Sequence, residues 1–403
     1  MWRETALPML RASETAGAAP SSGRVVSGMA DVPRHDWSAC RPGEAEGWAY
    51  LRACEIGTPP AFRLSAARVD DARGFAAGAP LFEVGYRLDT PLQGGWLGRA
   101  CDGIERRFPG LLEWRLIGVG SPFSEECPLA VHPRLSEAER GAALGALITG
   151  IEREARQRGA AAIAFKDIGQ SDFARVGPIL QAAGYAPINS LPLAVLDLED
   201  TRTLDAYLAR LSSATRKDIR RKLKRKDAVS VEWRSDIEGL EAEIADLYAS
   251  TRAQSHVHYG AFEELPQDYF ARLSRQMPGQ VAFACYRVAG VLAAFNLLFI
   301  ETDRVIDKFL GMRYPLAREH DLYALSWVEN VRFCQSIGRR YLQTGQTAYA
   351  SKLRFGSALR PSTHMVKHRN PLLQGAVRLA APLLSFPRWD PDLRAHRARK
   401  ATA

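Results

Sequence analysis

The sequence predicts an α+β chain of two similar lobes, each a mixed, mostly antiparallel sheet flanked by helices. The 403 residues are 46% apolar and 25% charged, a globular composition at the length of two domains. The pattern of elements repeats. Each half reads as helix, antiparallel strands, strand, helix, strand, helix, strand, with a strand–helix–strand crossover near its end. Between the halves lies a segment of different character: eight of the eleven residues from Arg216 to Lys226 are Lys or Arg.

In the first half, Glu44 to Ile56 reads as a helix stopped by Gly57 and the Pro59-Pro60 pair. Phe62 to Val69 and Ala79 to Leu88 alternate around a polar turn and form a hairpin. Residues 90–120 give no firm assignment. Cys127 to Val131 is a short strand. Ser136 and Glu139 make a capping box for a helix that runs to Arg158. A strand at Ala161 to Lys166, a helix at Phe173 to Ala183 and a strand at Leu191 to Leu198 complete the lobe.

The second half opens with the basic helix, 212–226, capped by Ser212 or Ser213, with Ile219 and Leu223 on its packed face. A strand at Val229 to Trp233 and helices at Ile237 to Gln254 and Leu265 to Met277 follow. Three strands come next, at Val281 to Val288, Val291 to Ile300 and Arg304 to Met312. A helix at Asp321 to Ile337, a strand at Arg340 to Thr344, a short helix at Ala350 to Phe355 and a strand at Thr363 to His368 end the lobe. The domain plan is therefore a disordered tail at 1–43, lobes at 44–200 and 201–370, and a basic, amphipathic tail at 371–403.

Composition limits the function. The net charge of +9 is nearly matched by the basic helix, so the excess is local and suits one anionic contact rather than a general nucleic-acid coat. That helix is either a solvated linker or a site for a polyanion: a cofactor phosphate, RNA or an anionic lipid surface. Six scattered cysteines without a C-x-x-C pair suit reduced thiols in a cytoplasmic protein, and no metal-ligand spacing is present. No apolar run reaches transmembrane length. The segment 372–386 is either a peripheral membrane-surface helix or packs on the body.

Two stretches carry a resemblance. Ala130-Val131-His132-Pro133 followed by Arg140-Gly141-Ala142-Ala143 resembles the acetyl-CoA motif of GNAT acyltransferases, in which backbone N–H groups at a helix start hold a pyrophosphate. Leu247 to Arg252, Glu264 to Phe270 and above all Gly345 to Gly356 resemble the Fem-type acyltransferases, which are tandem GNAT-fold proteins. The resemblance implies two GNAT-like lobes and direct transfer of an acyl group from acyl-CoA to an amine of a small molecule or cell-envelope precursor. Aminoacyl-tRNA is the alternative donor, and a non-catalytic RNA- or lipid-binding protein the alternative class. It implies Arg140, Gly141 and Ala143 as cofactor contacts, Asp307 as base and Tyr349 as acid; the alternatives are an ordinary amphipathic helix, an exposed or charge-paired strand aspartate and a packed tyrosine. Arg216, Arg220, His258 and Lys352 are candidate substrate contacts, each with a plain surface or loop reading beside it. On Arg304 to Met312, alternation places Val305, Asp307 and Phe309 on one face and Ile306, Lys308 and Leu310 on the other.

Overall fold

The computed structural model describes residues 22–87, 96–108, 113–224, 226–254 and 260–401. The first part of the chain forms β1 (Arg24–Val26), α1 (Arg34–Cys40), α2 (Trp48–Glu55), β2 (Arg63–Asp71), β3 (Gly74–Arg87), α3 (Trp96–Arg107), β4 (Glu113–Val119) and β5 (Ala130–Val131). Next come α4 (Glu137–Gln157), β6 (Ala162–Gly169), α5 (Gln170–Ala182), β7 (Ala186–Asn189) and β8 (Leu193–Asp197). The second part forms α6 (Leu204–Arg210), α7 (Ser213–Leu223), β9 (Val229–Arg234), α8 (Glu241–Ala253), α9 (Tyr269–Gln276), β10 (Val281–Val288), β11 (Val291–Ile300) and β12 (Arg304–Met312). It ends with α10 (Leu316–Glu319), α11 (Leu322–Ser336), β13 (Tyr341–Gln343), α12 (Tyr349–Arg354), β14 (Ala358–Arg360), β15 (Ser362–His368), α13 (Pro371–Leu384) and α14 (Pro391–Ala401).

Local chemistry explains most of these limits. Ser136 accepts from the Glu139 N–H while the Glu139 carboxylate accepts from the Ser136 N–H, so α4 starts at Glu137. Ala289 and Gly290 both take positive φ and close the β10–β11 hairpin in two residues, the backbone twist that such a turn requires. Two regions differ from the sequence reading. The stretch 22–43, expected as disordered tail, forms β1 and α1 because Met29, Val32 and Trp37 bury completely in an apolar core; residues 1–21 lie outside the described residues. The unassigned 90–120 region contains β4, a full member of the first sheet.

The sheets share one plan. The first runs β1-β2-β3-β4-β6-β15-β7, with β5 beside β3, and the second runs β14-β8-β13-β12-β11-β10-β9. In each, every neighbour is antiparallel except one parallel pair, β4 with β6 and β12 with β13. Helices α4 and α11 make those crossovers.

The sheets do not divide where the chain does. Strand β8, read from sequence as the last of the first lobe, sits in the second sheet between β13 and β14. Strand β15 returns to the first sheet between β6 and β7, the corresponding place. The exchange occurs at one point, where the Ser190 N–H donates to the Ser362 carbonyl at 3.0 Å. A continuous apolar core also spans both sheets, with Trp37, Tyr50, Phe62 and Phe82 of the first half packed with Phe270, Phe283, Phe295 and Phe299 of the second.

This topology makes a fragment test direct. Residues 22–200 alone would carry β8 without its sheet and lack β15, leaving backbone donors and acceptors of β6 and β7 unpaired. The expected product is aggregated on size-exclusion chromatography. A soluble monomer with a cooperative thermal transition would contradict the exchange.

Candidate active site

The site is built where β12 and β13 part. Three parallel pairs join them, Arg304 with Tyr341, Val305 with Leu342 and Ile306 with Gln343. Strand β13 then stops while β12 runs on to Met312, so Asp307 is the first residue past the last pair. At this point β12 also carries a bulge: Leu298 pairs with Asp307 and Leu297 with Phe309, which leaves Lys308 as an extra residue. The alternation expected from sequence fails here. Val305, Asp307 and Leu310 face α11, while Ile306, Lys308 and Phe309 face the core between the sheets. Phe309 and Leu310 thus lie on the faces opposite to those that strict alternation assigns.

Asp307 is partly open to solvent and accepts a 2.8 Å hydrogen bond from the Asn296 amide of β11. Burial raises its pKa to about 6, against the opposing effects of Asn296 and Lys352, with Glu125 adding to the rise. The Asn330 amide on α11 also favours the charged form, although no hydrogen bond of standard geometry connects them. A carboxyl poised near 6 beside an open strand edge can take a proton at neutral pH.

Lys352, on α12, is buried and its pKa is lowered to about 8 by burial, opposed by Glu125 and Asp307. Its ammonium donates to the carbonyls of Thr344 and Gln346, the latter at 2.8 Å. Those carbonyls belong to a segment in which Gly345, Thr347 and Ala348 all have positive φ. For Thr347 and Ala348 this conformation costs on the order of 1–2 kcal/mol each, offset by what holds the segment in place. A Cβ at Gly345 would also press on the Glu125 carboxylate, which would have to shift from its hydrogen bond with Gln343.

The first half of the chain supplies part of this site. Glu125 accepts from the Gln343 amide at 2.6 Å, and Glu126 accepts from Arg304 at 3.2 Å. Arg304 also bridges to Glu301 and donates to the Gln343 side-chain amide oxygen Oε1 at 2.8 Å. Behind the sheet, Lys308 is almost wholly buried. It donates to the Glu46 carboxylate and, at 2.7 Å, to the Phe123 carbonyl, and lies over the rings of Tyr50, Phe299 and Phe309. Burial works against its charge, but Glu46 and Glu125 more than offset it and raise the pKa.

Of the residues singled out from sequence, Asp307 and Lys352 come together here. Tyr349 does not face them. It is fully buried beside Leu191, Ala194 and Leu393, and its hydroxyl donates to the Pro192 carbonyl at 2.8 Å. Two tyrosines feel Asp307 from that side: Tyr286 of β10, fully buried, and Tyr323 in the first turn of α11, whose hydroxyl shares a 3.0 Å hydrogen bond with Ser351. The only sequence signal of Tyr323 is its place just after the helix start.

Arg216 and Arg220 turn toward α6, bonding the Ala209 carbonyl and Asp205. The members of the basic helix nearer the start of α11 are Asp218 and Lys222. Lys222 lies 3.9 Å from Asp321, and Arg354 of α12 lies 3.4 Å from Asp218. Arg140 bonds the carbonyls of Leu135 and Pro133, Gly141 lies inside α4, and Ala143 is buried. Glu137 and Glu139 make the first turn of α4 acidic, the charge opposite to what an anion needs at a helix start. His258 lies outside the described residues.

The profile of the acetyltransferase (GNAT) domain matches residues 213–352. That segment is a GNAT domain. The solved structure of FemX aligns with a TM-score of 0.52 at 13% identity, covering 79% of this chain and 90% of FemX. The C-terminal domain of a protein from Agrobacterium fabrum assigned as a lysylphosphatidylglycerol synthetase aligns with a TM-score of 0.50 at 13% identity, covering 85% of this chain and 95% of that one. No curated protein sequence matches significantly. Over the 79% of the chain that FemX covers, the fold is the same tandem arrangement of two GNAT-like lobes, and the GNAT profile is confined to the part that carries Asp307. Within it, the pin between the lobes is testable. Lys308→Met leaves Glu46 buried without its cation, and thermal or urea denaturation should show a loss of about 3–5 kcal/mol.

Proposed function

We propose that the protein is an N-acyltransferase that moves an acyl group from an acyl-CoA directly to an amine, at the point where β12 and β13 part. The observation that carries this reading is Asp307, held near pKa 6 at the splay of a GNAT domain. The amine nitrogen attacks the thioester carbonyl, the N–C bond forms and the C–S bond breaks. Asp307 takes the proton from the amine. Tyr323, kept protonated by burial, gives one to the departing thiolate. Lys222 and Arg354, close to the start of α11, are the cations that would meet the donor's phosphates, exchanging for them their present partners Asp218 and Asp321. The acceptor class is a small-molecule or cell-envelope-precursor amine.

Release of free thiol from acyl-CoA in the presence of amines tests this. Asp307→Asn should lower kcat by roughly 100-fold or more. In the parent protein kcat/KM should rise with pH through about 6, as Asp307 ionises. The same substitution should stabilise the fold. With its folded pKa raised, Asp307 binds more protons folded than unfolded, so stability falls as pH climbs from about 4 to about 6 and the penalty persists above. A rise from 3.8 to about 6 corresponds to at most about 3 kcal/mol, and less for a partly open side chain. An inactive Asp307→Asn protein about 1–3 kcal/mol more stable at pH 7 is the expected result. Unchanged turnover would remove Asp307 from the chemistry.

A second donor, aminoacyl-tRNA, is favoured by one observation: the outward face of α7 exposes Lys217, Arg220, Arg221 and Lys224 together. Binding of charged tRNA that weakens steeply with salt, without thiol release from acyl-CoA, would select it.

A further inference from the structure

Helix α13 is held to the body by one face only. Gln374 accepts from the His368 N–H at 2.8 Å and donates to the carbonyls of Gly184 and Val366. Val377, Ala381 and Leu384 pack on Ala186 and Ile188 of β7. These contacts satisfy the inner face and fix the helix's rotation. Its outer face is apolar too. Leu372, Ala376, Leu379 and Leu383 are spaced to fall within one narrow arc. Leu372 is 83% exposed, Leu379 85% and Leu383 52%. A continuous stripe of large exposed apolar side chains is uncommon on a protein that keeps it in water.

The charge beside the stripe indicates what covers it. Where α13 ends and α14 begins, a depression of about 570 Å3 is lined by Pro382, Ser385, Arg388, Trp389, Arg394 and Arg397. Trp389 donates its indole N–H to the Leu383 carbonyl at 2.7 Å, so the cationic notch adjoins the end of the leucine stripe. The acids of this hairpin, Asp390 and Asp392, accept the backbone N–H groups of Leu393 and Ala350. An apolar stripe, a tryptophan at its rim and three arginines beside it complement a surface with hydrocarbon below and phosphates above. Among the described residues no helix is long and apolar enough to cross a membrane, so such a contact lies on the bilayer surface.

We propose that the α13–α14 hairpin docks the protein on an anionic phospholipid bilayer, with Leu372, Leu379 and Leu383 entering the acyl boundary and Arg388, Arg394 and Arg397 meeting lipid phosphates. The surface is separate from the proposed acyl-transfer site. Neither proposal depends on the other.

Cosedimentation of the full chain with phosphatidylcholine vesicles, with and without phosphatidylglycerol, tests it. The expected preference for phosphatidylglycerol is about tenfold or more, falling with added salt. Leu379→Glu with Leu383→Glu should abolish sedimentation at an unchanged thermal midpoint, since both side chains are exposed. Arg388→Ala with Arg394→Ala should remove the preference for the anionic lipid. Equal sedimentation with both vesicle types, or double variants that bind like the parent, would overturn the proposal. So would a dimer of the parent protein, seen by light scattering, that the leucine variant dissociates, because a second copy would then cover the stripe.

Discussion

The two charges at the centre of the site are neighbours in β12 that point to opposite faces of one sheet. In an unbroken strand, Asp307 and Lys308 would be followed by side chains that keep strict alternation. The bulge at Lys308 instead sends Lys308 and Phe309 to the same side. Lys308 becomes the cation that fastens the core between the sheets, through Glu46 and the Phe123 carbonyl. Asp307 is left on the opposite face, at the opening beside β13, with Asn296, Asn330 and Lys352 around it. Of two adjacent charged residues, one thus fastens the core and the other stands at the proposed site of acyl transfer. The distance between those tasks is the thickness of one sheet.

The site draws on both halves of the chain. Glu125 and Glu126, from the segment after β4, reach Gln343 and Arg304 at the foot of the splay. Gln346 extends the other way, donating to the Leu191 carbonyl and to Asp167, itself buried against Lys166 and Ser190. The burial that shifts Asp307 upward and Lys352 downward works against stability, so neither group is explained by packing alone. A structural ion pair would have shifted each toward its charged form; these two are displaced toward neutrality.

Much of this was legible in the sequence, and the failures have physical causes. The two-lobe plan and most elements of the second half follow from hydrophobic period, caps and turn residues, as with Ser136 and Glu139 or Ala289-Gly290. Asp307 and Lys352 were visible as charges in a strand and in a motif. The partner of a strand was not visible. Leu193 to Asp197 reads as a buried strand wherever it pairs, and nothing local says that it joins the second sheet. The bulge was hidden because it depends on the register with β11. Tyr349 was misplaced because three positive-φ residues before it turn α12 so that its ring faces inward. The ordered stretch 22–43 was missed because three buried side chains outweigh a composition rich in small and polar residues.

The strand exchange has a consequence for motion. Two lobes around a cleft commonly open by hinge rotation, absorbed by a few residues in the connection. Here the connections are Ser190 to Pro192 between β7 and β8, and Pro361 alone between β14 and β15. Each passes directly from a strand of one sheet to a strand of the other, and they are hydrogen-bonded together. A rotation of one sheet against the other would shear the ladders on both sides of the crossing. The body is therefore stiff at the crossing, and the two sheets are tied to move as one.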